Sequence, residues 1–246
     1  MPEHELWLTR LFNDHLAGLG NWLLSLVRAH AENPARPWVN FVTMELLVAA
    51  VIVLVFAILR PRLSMDRPGK MQHVFEVIYT FLRGETHDNI GHEGPRFLPF
   101  LFTLFIFILF SNLIGIVPGF ESPTMNPAVP LGCAMLVFVY YNFMGFMQQG
   151  VFSYLAHFAG PVWWLSPLML PIEIISHLSR PLSLTIRLFA NMLAGDQVTL
   201  AILGLTYLVA PVAFMGLHIF VSFLQAYIFV LLTMMYLSET VPHEQH

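Results

Sequence analysis

Leu170-Pro-Ile-Glu-Ile-Ile-Ser-His-Leu-Ser-Arg-Pro-Leu-Ser-Leu-Thr-Ile-Arg-Leu-Phe-Ala-Asn-Met-Leu-Ala-Gly-Asp196 sets acids and arginines inside an apolar run long enough to cross a membrane. Of the 11 Lys and Arg residues, nine (Arg10, Arg28, Arg36, Arg60, Arg62, Arg67, Lys70, Arg83, Arg96) lie in the polar N-terminal arm, in the segment 60–96 or at its edge. The other two are Arg180 and Arg187. An arginine at mid-bilayer depth costs roughly 2.5–3.5 kcal/mol on insertion scales, so such residues face a protein interior or a wet cavity and mark an ion path.

Glu173, Arg180 and Arg187 are spaced by seven, and each such step falls about 20° short of two full turns, so all three share one helix face. Ser176 and Asn191 lie close to that stripe, and Ser179 adjoins Arg180. Asp196 is half a turn around, on the opposite face. Polar groups on two faces, displaced along the axis, point to two aqueous cavities that do not join. Further on, His218, Ser222 and Gln225 fall at i, i+4 and i+7, one face that meets Asp196 or Arg187 if the two segments form a hairpin.

Around this stretch the chain is 57% hydrophobic and 11% charged, the balance of an all-α polytopic membrane protein. Cys133 is a lone cysteine in an apolar run, which excludes a disulfide framework or a cysteine metal pair. Met1-Pro-Glu-His-Glu-Leu-Trp7 shows no basic n-region leading into an apolar core, so insertion is expected to rely on internal helices. Residues 1–38 predict an amphipathic arm at the outer surface, with a helix broken at Asn33-Pro-Ala-Arg-Pro37. Crossings are expected at 39–59, 97–117, 129–147, 164–197 and 198–237, with a surface helix over about 70–84.

The basic cluster Arg60 to Lys70 holds that segment on the cytoplasmic side, which puts the N-terminus outside and the C-terminus inside. Glu45, in the first third of the first crossing, reads as a residue near the interface. The loop 148–163 should be cytoplasmic yet has no Lys or Arg. At 1.5 Å per residue the last two elements, about 34 and 40 residues, exceed one upright crossing, so each is either two elements or one strongly tilted helix.

Ser179-Arg-Pro-Leu-Ser-Leu-Thr-Ile-Arg-Leu-Phe-Ala-Asn-Met-Leu-Ala-Gly-Asp196, with Leu224-Gln-Ala-Tyr-Ile-Phe-Val-Leu-Leu-Thr233 and Asn112-Leu-Ile-Gly-Ile-Val-Pro-Gly119, resembles subunit a of the F-type ATP synthase. The resemblance implies a bacterial inner-membrane stator beside a rotor ring of c subunits, with two long tilted helices in a hairpin against the ring. It implies that Arg187 is the essential charge facing the ring and that Glu173 is the acid of a cytoplasmic half-channel. Asn191, Asp196, His218 and Gln225 match polar positions of the arginine region and the periplasmic half-channel; Arg180, Ser176, Ser179 and Ser222 follow as flanking positions. The family often has glutamate where Asp196 stands, and some of its members have an acid where His218 stands. The implied partners are the c-ring, the b subunits of the peripheral stalk, the rest of the complex and membrane lipid, with no nucleic acid and no cofactor.

The residue types suit that chemistry on their own terms. A rotor carboxyl must be neutral to face lipid. Arg187 cannot give up its proton and favours the ionised form of a carboxylate brought alongside. It thereby promotes release toward Glu173 and blocks direct leakage. Asp196 and His218 are suited to relay protons from outside, since imidazole titrates near neutral pH. No Gly-x-x-x-x-Gly-Lys loop, His-Glu-x-x-His or Gly-x-Ser-x-Gly motif occurs, which leaves ATP chemistry to partner chains and gives no support to a protease. A transporter built on repeats would carry a counterpart of the Arg187 segment in residues 1–130, and none is there.

Overall fold

The computed structural model describes residues 5–26, 33–64, 68–117, 119–150, 166–205 and 209–241, and among them every regular element is helical. The chain is an all-α membrane protein. Among the described residues the α-helices are α1 (Trp7–Leu26), α2 (Asn40–Leu59), α3 (Lys70–Ile90), α4 (Gly94–Leu113), α5 (Ala128–Gln149), α6 (Ser166–Leu205) and α7 (Val209–Ser238). Helices suit this sequence because an apolar segment in lipid must satisfy its backbone groups within itself. Four described helical stretches are long and apolar enough to cross: Asn40–Arg62, Gly94–Ile116, Ala128–Gln148 and Val212–Ser238.

α4 is the axle of the bundle. It packs against α2, α3 and α7, while α7 packs against α6 and α6 against α5. Phe97, Leu101, Phe105 and Ile108 of α4 are fully buried and share one core with Phe229, Val230 and Met234 of α7 and Leu188 of α6. α3 is tied to α7 by the Tyr227 hydroxyl, which donates to Glu85 Oε2 at 3.1 Å.

The N-terminal arm clasps the start of α2. Its helix kinks at Leu16 (φ −124°, ψ 17°), and the Leu16 carbonyl accepts from Trp38 Nε1 at 2.9 Å. Asn13 brackets the Trp38 backbone, accepting from its N–H at 2.9 Å and donating to its carbonyl at 3.1 Å. Thr9 and Thr43 hydroxyls meet at 2.7 Å. Trp7, Leu11, Leu19 and Trp22 are left exposed, the apolar face expected of a helix lying on a membrane surface.

Two expected boundaries move. α3 continues past 84 to Ile90, because Gly84 is tolerated within a helix and the stop is Gly91, whose φ of +86° suits glycine. The divide placed between Gln197 and Val198 lies inside α6, which runs unbroken to Leu205. Gly195, Asp196 and Gln197 were weak breakers, and the next proline is Pro211. Each long element is therefore a single helix, about 60 and 45 Å long at 1.5 Å per residue. The loop 148–163, apart from residues 148–150, and the start of the crossing at 164 lie outside the described residues, as does the tail beyond residue 241.

The α3–α4 corner is close-packed. A Cβ built on Gly94 would stand 2.6 Å from the Thr86 carbonyl oxygen, a backbone atom that cannot swing away. Gly94→Ala is expected to destabilise the chain by about 1–3 kcal/mol through overpacking. Thermal unfolding in detergent against wild type measures it, and an unchanged midpoint would show that the corner yields.

Candidate functional site

The hairpin of α6 and α7 carries nearly all the polar groups singled out by sequence. Ile172, Ile175, Leu178, Leu182 and Ile186 form an exposed apolar stripe down α6, while Leu184, Leu188 and Met192 are buried on the other side. Arg187 is half-buried at the border between them, about 100° round from Ile186. Among the described residues none forms an ion pair or hydrogen bond with its guanidinium.

Arg180, on the same stripe, differs. Its Nη1 lies 2.6 Å from Glu239 Oε2, and its guanidinium carbon stands 4.9 Å from the centre of the Tyr236 ring. One arginine of the stripe is paired inside the hairpin, and the other is not.

One turn beyond Arg187, Asn191 Nδ2 donates to Gln225 Oε1 at 2.7 Å, a direct polar bond between the two helices. Gln225 is 1% exposed and Ser222 is fully buried. The Ser222 carbonyl accepts from Asn112 Nδ2 at 3.4 Å, Asn112 Oδ1 accepts from the Thr124 hydroxyl at 2.8 Å, and Thr124 meets Ser122 at 2.7 Å. Ser122 in turn donates to the Ser111 carbonyl at 2.7 Å. A buried polar column thus runs from the 121–127 loop through the end of α4 to the middle of α7. Along it Ser111 Oγ, Ser222 Oγ and Gln225 Nε2 have no partner among the described residues, which is costly for buried polar atoms unless water reaches them.

His218 enters the hairpin beside Gly195. A Cβ at residue 195 would stand 3.2 Å from His218 Nδ1, so the small residue makes room for the ring. Asn191, Gly195, Thr199, Phe214, His218 and Val221 help line a cavity of about 230 Å³. Asp196 is half-buried and within electrostatic reach of His218. A larger cleft of about 640 Å³ between α2, α4 and α5 holds Glu45 and Cys133, and none of the stripe residues lines it.

The structure thus brings together Asn191 with Gln225 and His218 with Gly195, and among the described residues no hydrogen bond or ion pair joins the His218 face to Arg187. Glu173 is half-buried near the other end of α6, about 35 Å along the axis from Asp196 at 1.5 Å per residue. Ser176 and Ser179 are exposed, and the Ser179 hydroxyl donates to the Ser176 carbonyl at 2.6 Å. His177 is a packing residue, with Nε2 3.1 Å from Asn142 Oδ1 and its ring 5.2 Å from Tyr141. Ser111, Asn112, Ser122 and Thr124 were not among the sequence-derived site residues. Their signal was a Ser-Asn pair ending an apolar crossing, legible as a helix stop and silent about its partners.

A family model described as ATP synthase A chain matches residues 42–238. The chain is similar to the ATP synthase subunit a of Solibacter usitatus, 64% identical over 234 residues, which cover 95% of this chain and 100% of that one. It is similar to the ATP synthase subunit a of Koribacter versatilis at 48% identity over 243 residues, 99% of both chains. A more distant relative, the ATP synthase subunit a of Helicobacter pylori, is 42% identical over 204 residues, 82% of this chain and 90% of that one.

Proposed function

We propose, from the premise that the chain belongs to the ATP synthase subunit a family, that it is the stator through which protons reach and leave the carboxyl groups of a rotating c-ring. Membership makes it a multi-pass membrane subunit of the ATP synthase complex. The half-channels, the ring and the b subunits of the peripheral stalk are our reading.

One observation carries that reading: an arginine without a partner among the described residues, at the edge of an exposed apolar stripe on a long helix. A permanent charge held in that position needs an anion that arrives from outside the chain. A ring of carboxyl-bearing helices sliding along the stripe supplies one. As a carboxyl reaches Arg187, the guanidinium favours its ionised form and the proton leaves toward Glu173. Past Arg187 the carboxylate is reloaded from the other side, through Asp196, His218 and the Asn191–Gln225 pair.

The polar column from Ser122 and Thr124 through Asn112 to Ser222 and Gln225 supports an outer route that ends next to Arg187, since its orphaned hydroxyl and amide are the groups a file of water would satisfy. Inner and outer routes stay apart because Glu173 and Asp196 sit on different faces and at different depths of α6. A proton crosses only by riding the ring. Each charge falling through 100 mV releases roughly 2.3 kcal/mol, which drives rotation. α6 adds a fourth crossing between α5 and α7, which makes five, and with the basic cluster around Arg60 inside, the C-terminus is inside and the N-terminus outside.

The test is ion-driven ATP synthesis by the intact complex in vesicles. A proton gradient is expected to drive synthesis in sodium-free buffer at a rate that added sodium does not raise, while vesicles holding this chain alone stay proton-tight. A strict sodium requirement, or proton flux through the isolated chain, would overturn the proposal.

A further inference from the structure

Arg187 is bracketed by two polar contacts across the hairpin. Four residues beyond it is the Asn191–Gln225 hydrogen bond, and seven residues before it is the Arg180–Glu239 ion pair. The Arg180 side chain is 15% exposed, its charge lies over the Tyr236 ring, and Tyr236 packs 5.9 Å from the buried Tyr141 of α5. Tyr141 backs onto His177, which holds Asn142, so α5, α6 and α7 meet in one cluster. Glu239 stands just past the end of α7 and is fixed by the turn that follows, where the buried Thr240 donates through both N–H and hydroxyl to the Leu237 carbonyl, at 3.0 and 2.7 Å.

We propose that Arg180 is a positioning residue for proton transfer: closed onto Tyr236 and Glu239, it fixes the rotation and depth of α6 against α7 and so sets where Arg187 presents its guanidinium. The proposal rests on the role given to Arg187 in the preceding subsection. Apolar packing of Leu184 and Leu188 resists separation of the helices but is not directional, whereas an ion pair and a hydrogen bond at two depths fix both slide and twist. The pairing also commits the second positive charge of the stripe. An unpaired Arg180, about 10.5 Å from Arg187 along the axis at 1.5 Å per residue, would offer a passing carboxylate a competing site.

The experiment uses the complete ATP synthase in inverted membrane vesicles with Arg180→Gln, Glu239→Gln and Arg180→Lys. ATP-driven proton pumping is divided by ATP hydrolysis in the same vesicles, with immunoblots to count assembled complex. Arg180→Gln and Glu239→Gln are expected to lower protons pumped per ATP by about tenfold at normal assembly, in line with the sensitivity of proton transfer to sub-ångström misplacement. Arg180→Lys keeps the charge pair and is expected to retain most of the pumping. Wild-type pumping in both Gln variants, a lysine variant as impaired as Arg180→Gln, or losses that follow only the amount of complex would each overturn the proposal. If Arg180→Gln fails to assemble, the half-exposed Glu239→Gln decides alone. Failure of the underlying role is read separately, as unimpaired pumping by Arg187→Ala.

Discussion

Arg187→Ala is expected to abolish proton-driven ATP synthesis, a fall of at least about 100-fold, the scale on which removing one preorganised charge stabiliser acts. Assembly should survive, because no described residue relies on the Arg187 guanidinium for an ion pair or hydrogen bond, and removing it leaves no buried partner unsatisfied. Arg187→Lys is expected to fail nearly as badly. A desolvated ammonium can lose its proton and become neutral, and it lacks the planar fork that meets a carboxylate with two parallel bonds. The measurement is synthesis after an acid–base jump in vesicles, with subunit content checked by immunoblot. Substantial synthesis by the alanine variant would remove Arg187 from the mechanism, and loss of the subunit from the membrane would make it a structural residue.

The part of this site that sequence revealed is the part written in one helix. Glu173, Arg180 and Arg187 repeat at seven, and a seven-residue step keeps a face whatever surrounds it. The face of His218, Ser222 and Gln225 was legible for the same reason, but where Asp196 or Arg187 is expected from the sequence to meet it, its contacts with α6 are through Asn191 and beside Gly195. What periodicity does not encode is a contact between distant segments. Asn112 and Ser222 lie 110 positions apart, and nothing in either local pattern announces their bond. The pairing of Arg180 was equally silent, because its partner Glu239 lies in a polar segment past the end of α7 that reads as a solvated face. The expected join between the long helices at Gln197 falls inside α6, where one glycine and two polar residues cost too little to end a helix.

Gln225→Leu is expected to lower proton-driven synthesis by about 10- to 100-fold while the subunit still assembles, which corresponds to roughly 1.4–2.7 kcal/mol. The swap keeps the volume of a side chain that is 1% exposed, so the contacts of its neighbours Ala226 and Phe229 with the core persist and no cavity opens. Two things are lost. Asn191 Nδ2 no longer has its acceptor at 2.7 Å, and the amide that joins the column of Asn112 and Ser222 to the arginine region becomes hydrocarbon, which cannot hold water or pass a proton. The effect should fall on the outer route alone. Membranes stripped of the ATP-hydrolysing partner chains should therefore conduct protons passively in wild type and become tight in Gln225→Leu. Ser222→Ala sets the scale for comparison, since it is the Ser222 carbonyl, kept in the variant, that receives Asn112; its loss should be the smaller of the two. Equal passive conductance in Gln225→Leu and wild type would mean that protons reach Arg187 by a path that avoids Gln225, and the buried column would then serve only to hold α4 against α7.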